Sequence, residues 1–326
     1  MNLPQPDAEP LHGAVDPEEQ LQTRVAWYYF VGNLTQQQIA NRLGMSRGRV
    51  NRLLAACRES GLVQISINGR LAPCIALEEA LIQRFGLREA VVIPTPEDPS
   101  MIRETLGVGG ADYLDERIED GMRVGIGWGQ TLRSVIRALP ARNRQDVSVI
   151  SLQGGLAHCS HINTFEIISD FADRYGADRH FYAAPIYAGS EADRDIILRQ
   201  GAIRETHDKA LSSDIGIVTV GDITQSLIVQ YGLSDAGDLD ELLAAGAVGD
   251  LLGHFIDANG ELVDHSLNRR TVAVDLEALH DNPWTVVISG GEHKRAANLA
   301  VLRGGYADVF ITDEETARSL TTEASA

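Results

Sequence analysis

The chain has 326 residues, about twice the ~150 typical of one domain, so two folded units are expected. Hydrophobic residues make up 44% and charged residues 23%, a balance that supports a buried core and excludes a disordered or collagen-like chain. The formal net charge of -18 excludes binding of nucleic acid along the whole chain, because phosphate contacts depend on Lys and Arg.

No stretch approaches the ~18 uncharged apolar residues of a membrane span. Residues 1–20 carry five acids and no Lys or Arg, unlike a signal peptide, so a cytoplasmic protein without membrane contact is expected. Cys57, Cys74 and Cys159 stand apart, without the paired spacing of a zinc or redox site, which suits a reducing compartment. The charge is segregated. Residues 21–70 hold seven Arg against the single acid Glu59, a net +6, whereas residues 71–326 hold 21 basic and 40 acidic residues, a net -19. The chain therefore reads as a disordered acidic segment 1–17, a small basic unit 18–70 and a large acidic unit 71–326.

In the basic unit, the spacing predicts a helix over 18–30 with Leu21, Val25, Tyr28 and Tyr29 on one face, ended by Gly32 and Asn33. Thr35 can cap a short helix over 36–43 that turns Ile39, Ala40 and Leu43 inward. After a turn at Gly44, Ser46 can cap a helix over 47–58, where Val50, Leu53, Leu54 and Cys57 recur at i, i+3, i+4 and i+7. This order describes a helix-turn-helix. Arg47, Gly48, Arg49, Asn51 and Arg52 are left exposed on the last helix, and with Thr35, Gln36 and Ser46 they are the expected contacts to operator DNA. Arg47 and Arg49 lead, since Arg offers two donors to a guanine edge or a phosphate. Alternation over 61–69 predicts the strand of a wing.

Pro73, Leu77, Ala80, Leu81 and Phe85 predict a connecting helix. Beyond it, strands are predicted at 90–93, 123–127, 147–152, 181–184, 215–220, 271–274, 285–289 and 309–312, with helical patterns between most of them, which predicts a parallel α/β sheet. Ligands of open α/β sheets bind at the C-terminal ends of the strands, so the loops there are the candidate site. The first is Gly127, Trp128, Gly129, Gln130 and Thr131, where glycines admit an anion to backbone N–H groups and a helix start favours it. The same residues also read as a turn that needs glycine for its conformation.

The second loop holds Gly290, Gly291, His293 and Lys294. Lys209 and Lys294 are the only lysines, so a lysine at a glycine-rich helix start is distinctive. It could pair with an anion or form a Schiff base with a sugar aldehyde. The third and fourth loops supply Gln153, Gly154 and Gly155 with Asn163, and Asp250 with Phe255 and Asp257, as partners for hydroxyls and an aromatic wall, although 257–260 also reads as an ordinary turn. His158, Cys159 and His161 have no second cluster at ligand spacing, so neither a metal nor a cofactor is expected.

LTQQQIANRLGMSRGRVNRLLAACRESGLVQISI, followed in order by GIGWGQT, SLQGG, AAPIYAG, GAVGDLLGHFID and VVISGGEHKRAANLAVLRGGYADVFITDEETA, resembles the SorC family of sugar-responsive bacterial transcriptional regulators from residue 21 onward. The resemblance implies a winged helix-turn-helix joined to a parallel-sheet α/β effector domain related to phosphosugar isomerases and deaminases, assembled as a homotetramer. It implies an effector that is a sugar phosphate, a sugar or a polyol and that controls operator affinity. Gly127, Gly129, Gln130 and Thr131 match the phosphate loop, Asp250 the hydroxyl-binding acid, and Lys294 the basic residue of the second glycine loop. Gln130 departs from the small or hydroxyl residue of many relatives, which keeps a free polyol in view. The competing readings are an isomerase-type enzyme using Asp250, His293 and Lys294, and a scaffold that only multimerises. The fused basic unit speaks against the enzyme, and no catalytic residue is assigned.

Overall fold

The computed structural model describes residues 16–32, 34–60, 62–63, 71–156, 164–225, 227–232 and 237–322. The chain divides into two compact units, residues 1–69 and 70–326.

The first unit is three helices around Val25, Ile39, Ala40, Val50, Leu53 and Leu54. Helix α1 (Pro17–Ala26) is capped by Asp16, whose side chain accepts the Glu18 N–H at 3.1 Å. The helix then widens into a π turn over Trp27–Val31, where four bulky aromatic residues follow one another. The Gly32 N–H donates to the Trp27 carbonyl at 2.9 Å, and a Cβ at Gly32 would lie 2.9 Å from the Tyr28 oxygen, so the turn closes on glycine. The single helix expected over 18–30 is thus two segments, and it begins at Pro17. Helix α2 (Gln36–Leu43) ends at Gly44 (φ 65), and α3 (Arg47–Glu59) follows. Of the expected wing, Leu62 and Val63 are described and lie in no strand; its other residues, Asn33 and residues 1–15 lie outside the described residues.

The second unit opens with α4 (Ala72–Phe85), started by Pro73 at a position that needs no N–H. In chain order follow β1 (Glu89–Ile93), α5 (Ile102–Asp115), β2 (Arg123–Ile126), α6 (Gln130–Ala138), β3 (Ser148–Ser151), α7 (Thr164–Tyr175), β4 (Asp178–His180), α8 (Glu191–Leu198) and α9 (Gly201–Leu211). Then come β5 (Ile215–Val218), β6 (Val220–Asp222), α10 (Asp238–Ala244), β7 (Gly249–Leu251), β8 (His254–Ile256), α11 (Ser266–Arg270) and α12 (Glu277–Asp281). The chain closes with β9 (Thr285–Ile288), α13 (Arg295–Arg303), β10 (Val309–Asp313) and α14 (Glu314–Thr322). Seven strands form one parallel sheet in the order β1-β10-β9-β5-β2-β3-β4. Apolar clusters cover both faces, which is why β5 and β9 are buried along their whole length.

Two expected strands are elsewhere. The edge strand is β4, three residues ahead of the apolar run 181–184, because an edge facing water is polar and carries no apolar signature. Residues 271–274 make only isolated bridges, Gln153 to Ala273 and Tyr187 to Thr271, and their apolar character reflects burial between two loops. A second, antiparallel sheet β6-β7-β8 takes Val220 from the strand expected over 215–220, which ends at Val218, and otherwise occupies what reads in sequence as loops. Its β7–β8 turn holds Leu252 (φ 53) and Gly253 (φ 83), the two positive values of a type I′ hairpin. Helices α5 and α6 pack closely: a Cβ on Gly107 would lie 2.8 Å from Ser134.

Candidate functional site

Strands β9, β5 and β2 are neighbours at the sheet centre, and the chain leaving their C-terminal ends bounds a cavity of about 130 Å³. From β2 the next strand in sequence, β3, lies on one side, while β5 lies on the other, so the crevice sits where sheet order reverses.

After β2, the Gly127 N–H extends the ladder to the Ile217 carbonyl at 2.9 Å. Gly129 holds φ 154, and a Cβ there would come within 2.6 Å of Thr219 Cγ2. Among the described residues no side chain caps α6, so its first N–H groups are left for whatever occupies the cavity that Gly129, Gln130 and Thr131 line. Among the described residues the Thr131 hydroxyl makes no hydrogen bond, and the buried Trp128 Nε1 and Thr219 Oγ1 have no hydrogen-bond partner.

After β9, Gly290 lines the cavity and Glu292–Lys294 form a 3₁₀ turn, with the Lys294 N–H donating to the Gly291 carbonyl at 3.0 Å. The half-buried Lys294 makes no side-chain hydrogen bond or ion pair within 4.0 Å among the described residues. Burial holds its ammonium pKa down to about 8; Asp222 and Asp250 oppose that shift and the Arg103 charge adds to it. Burial and the Lys294 charge also lower His293.

The β6–β7 ladder supplies the acids. Asp222 and Asp250 both line the cavity, on adjacent rungs of that ladder. Asp222 Oδ1 accepts the Thr224 N–H (2.9 Å), the Thr224 hydroxyl (2.6 Å) and the Gln225 N–H (2.9 Å), which fixes Gln225 in the lining. Arg103 comes from the start of α5, which the close α5–α6 packing brings beside the α6 start.

Of the expected effector residues, Gly127, Trp128, Gly129, Gln130, Thr131, Gln153, Asp250, Gly290 and Lys294 line the cavity together. Five do not. The Gly154 N–H goes to the Val272 carbonyl (2.8 Å) and the Gly155 N–H to the Ala184 carbonyl (3.0 Å), and a Cβ on Gly154 would meet the Pro185 oxygen at 2.7 Å, so these glycines serve close packing. Phe255 is fully buried in the apolar core and forms no aromatic wall. Asp257 accepts the Asn259 and Glu261 N–H groups, the ordinary turn its sequence also suggests. The Gly291 N–H is taken by Asp313 and Thr316. Asn163, like His158, Cys159 and His161, lies outside the described residues. Sequence reasoning missed Arg103, Thr219, Asp222 and Gln225, which stand outside any glycine-rich signature. Among the described residues no His, Cys, Asp or Glu group of three or more could hold a metal, and no helix is long and apolar enough to cross a membrane.

In the first unit, Thr35 and Gln38 form a reciprocal capping box, and the Arg49 N–H donates to Ser46 Oγ at 3.3 Å. Arg47, Gly48, Arg49, Asn51 and Arg52 are exposed along α3, while Val50, Leu53, Leu54 and Cys57 are buried. Arg47 Nε donates to Gln36 Oε1 at 3.3 Å, joining two expected DNA contacts across α2 and α3.

Comparison with known proteins matches residues 70–322 to the Sugar-bind family, a sugar-binding domain, and residues 19–84 to a Crp-like helix-turn-helix domain. The erythritol catabolism regulatory protein EryD of Brucella abortus is 32% identical over 308 residues, covering 94% of this chain and 97% of the relative. The deoxyribonucleoside regulator of Bacillus subtilis is 32% identical over 308 residues, covering 93% and 97%. The crystal structure of the full-length sorbitol operon regulator SorC from Klebsiella pneumoniae superposes with a TM-score of 0.73 at 29% identity, covering 93% of this chain and 99% of that one. The chain belongs to the SorC family. It is a sugar-responsive transcriptional regulator, with a helix-turn-helix unit and a sugar-binding unit; this supports regulation over the isomerase-type enzyme.

Proposed function

We propose that this SorC-family regulator binds operator DNA through α3, and that a small polyhydroxylated molecule bearing an anionic group, a sugar or polyol phosphate, controls that binding from the cavity at β2, β5 and β9. The observation that carries the reading is the joining of the uncapped α6 start and Thr131 to Lys294, Asp222 and Asp250 in one cavity. Carboxylates and the Gln153 and Gln225 amides suit hydroxyl groups, whereas helix N–H groups and an ammonium suit an anion. The two acids and two bases balance formally, so the α6 start biases the site toward negative charge. A cavity of about 130 Å³ suits a molecule of a few carbon atoms rather than a nucleotide. The names of two relatives, which speak of erythritol and sorbitol, support the same size class.

The DNA contacts in this reading are Thr35, Gln36, Ser46, Arg47, Gly48, Arg49, Asn51 and Arg52, supported by their exposure or capping role at the start of α2 and α3. The family resemblance supports a cytoplasmic homotetramer that performs no catalysis. The test is thermal unfolding against matched pairs of four- to six-carbon polyols and sugars with their phosphates. A ligand of the folded state raises Tm by mass action, about 2.7 kcal/mol at a hundred times Kd. A phosphate that raises Tm more than its free partner is expected. A rise only with unphosphorylated compounds would replace the anionic effector with a neutral polyol.

A further inference from the structure

We propose that Asp313, which does not line the cavity, is a positioning residue for effector recognition, its carboxylate clamping the Gly290–Gly291 backbone that carries Lys294. The proposal rests on the effector site proposed above and goes beyond its lining residues.

Asp313 ends β10 and is 1% exposed. Its Oδ1 accepts the Thr316 N–H at 3.0 Å and the Thr95 hydroxyl at 3.2 Å. Its Oδ2 accepts the Gly291 N–H at 3.0 Å and the Thr316 hydroxyl at 2.6 Å, and that hydroxyl itself accepts the Gly291 N–H at 2.9 Å. The first oxygen does the ordinary work of a helix N-cap for α14. The second reaches 22 residues back to a glycine held at φ 95, and the Gly291 carbonyl in turn takes the Lys294 N–H. A Cβ on Gly290 would lie 2.4 Å from Asp313 Oδ2, so the loop backbone presses against the carboxylate. The cap takes one oxygen and the clamp on Gly291 takes the other. Because a backbone N–H donor faces each oxygen, an amide can satisfy only one of them.

Asp313→Asn therefore separates the roles, since Asn caps helices as well as Asp but sets an NH₂ against the Gly291 N–H. The chain has two lysines, so ¹³Cε-lysine labelling gives two NMR titrations, and Lys209, paired with Glu205 at 2.9 Å, is an internal control. In the full-length protein without ligand, Asp313→Asn is expected to move the Lys294 midpoint upward by at least about 0.5 pH unit, as a loosened turn lets water reach Nζ, while Lys209 stays. Thr316→Val removes the second acceptor for the Gly291 N–H but keeps the cap, so it is expected to move Lys294 the same way by less; it carries the test if Asp313→Asn does not fold. Identical Lys294 titration in wild type and the folded variants overturns the proposal. The readout needs no effector, so it can fail while the ligand panel succeeds, and the reverse.

Discussion

At Lys294, charge and burial meet. The ammonium is half-titrated near pH 8, so below that pH it is mostly charged and above it mostly neutral. If it holds the anionic group, affinity for a phosphorylated ligand falls as pH rises through 8, approaching tenfold per unit, while a phosphate with its second pKa near 6 keeps its charge over pH 7.5–9.5. Lys294→Arg carries a charge that does not titrate there, so any affinity it keeps should be flat across the window. Calorimetry at four pH values checks this. Equal pH dependence in both proteins would remove Lys294 from the anion site. Lys294 was legible because lysine is scarce in this chain and this one follows two glycines. Arg103 and Asp222 were not: an arginine at a helix start and an aspartate two residues before a threonine are ordinary surface chemistry until the α5–α6 packing and the β6–β7 ladder bring them to one cavity.

At the scale of elements, α3 shows what a sequence pattern determines. Its buried residues follow from the 3.6-residue period, and its start from Ser46 and the turn at Gly44, so both were readable. Gly48 is less ordinary. It is exposed near the start of α3, and among the described residues a Cβ there would meet nothing within 4 Å, so no packing among them requires glycine. Glycine in a helix costs roughly 0.5–1 kcal/mol against Ala, which suggests that backbone approach to DNA is what keeps it. Gly48→Ala should raise Tm by a few degrees and weaken operator binding, whereas Arg49→Ala should leave Tm unchanged and cost ~1–3 kcal/mol in operator affinity. Unfolding curves and fluorescence anisotropy on the two variants check this; full operator affinity in both would take α3 out of the interface. The β7–β8 hairpin is the opposite case. Its glycines and apolar residues read as loop, because three-residue strands are too short to show alternation, and so Phe255 looked like a site wall when it is core.

At the scale of the whole molecule, charge divides the labour. A net +6 over residues 21–70 and -19 over residues 71–326 confine affinity for the DNA backbone to the first unit, and the acidic unit is repelled by DNA. The central claim is that the cavity in the second unit sets the affinity of the first. Coupling of this kind runs to 1–3 kcal/mol, or about 5–150-fold. The most direct measurement is operator Kd by fluorescence anisotropy, with and without the phosphorylated ligand that most raises Tm, in wild type and Lys294→Ala. The account predicts at least about a fivefold shift of Kd in wild type, the same ligand-free Kd in Lys294→Ala, and no shift in that variant. Operator affinity that ignores the ligand in wild type, or shifts equally in both proteins, would contradict it.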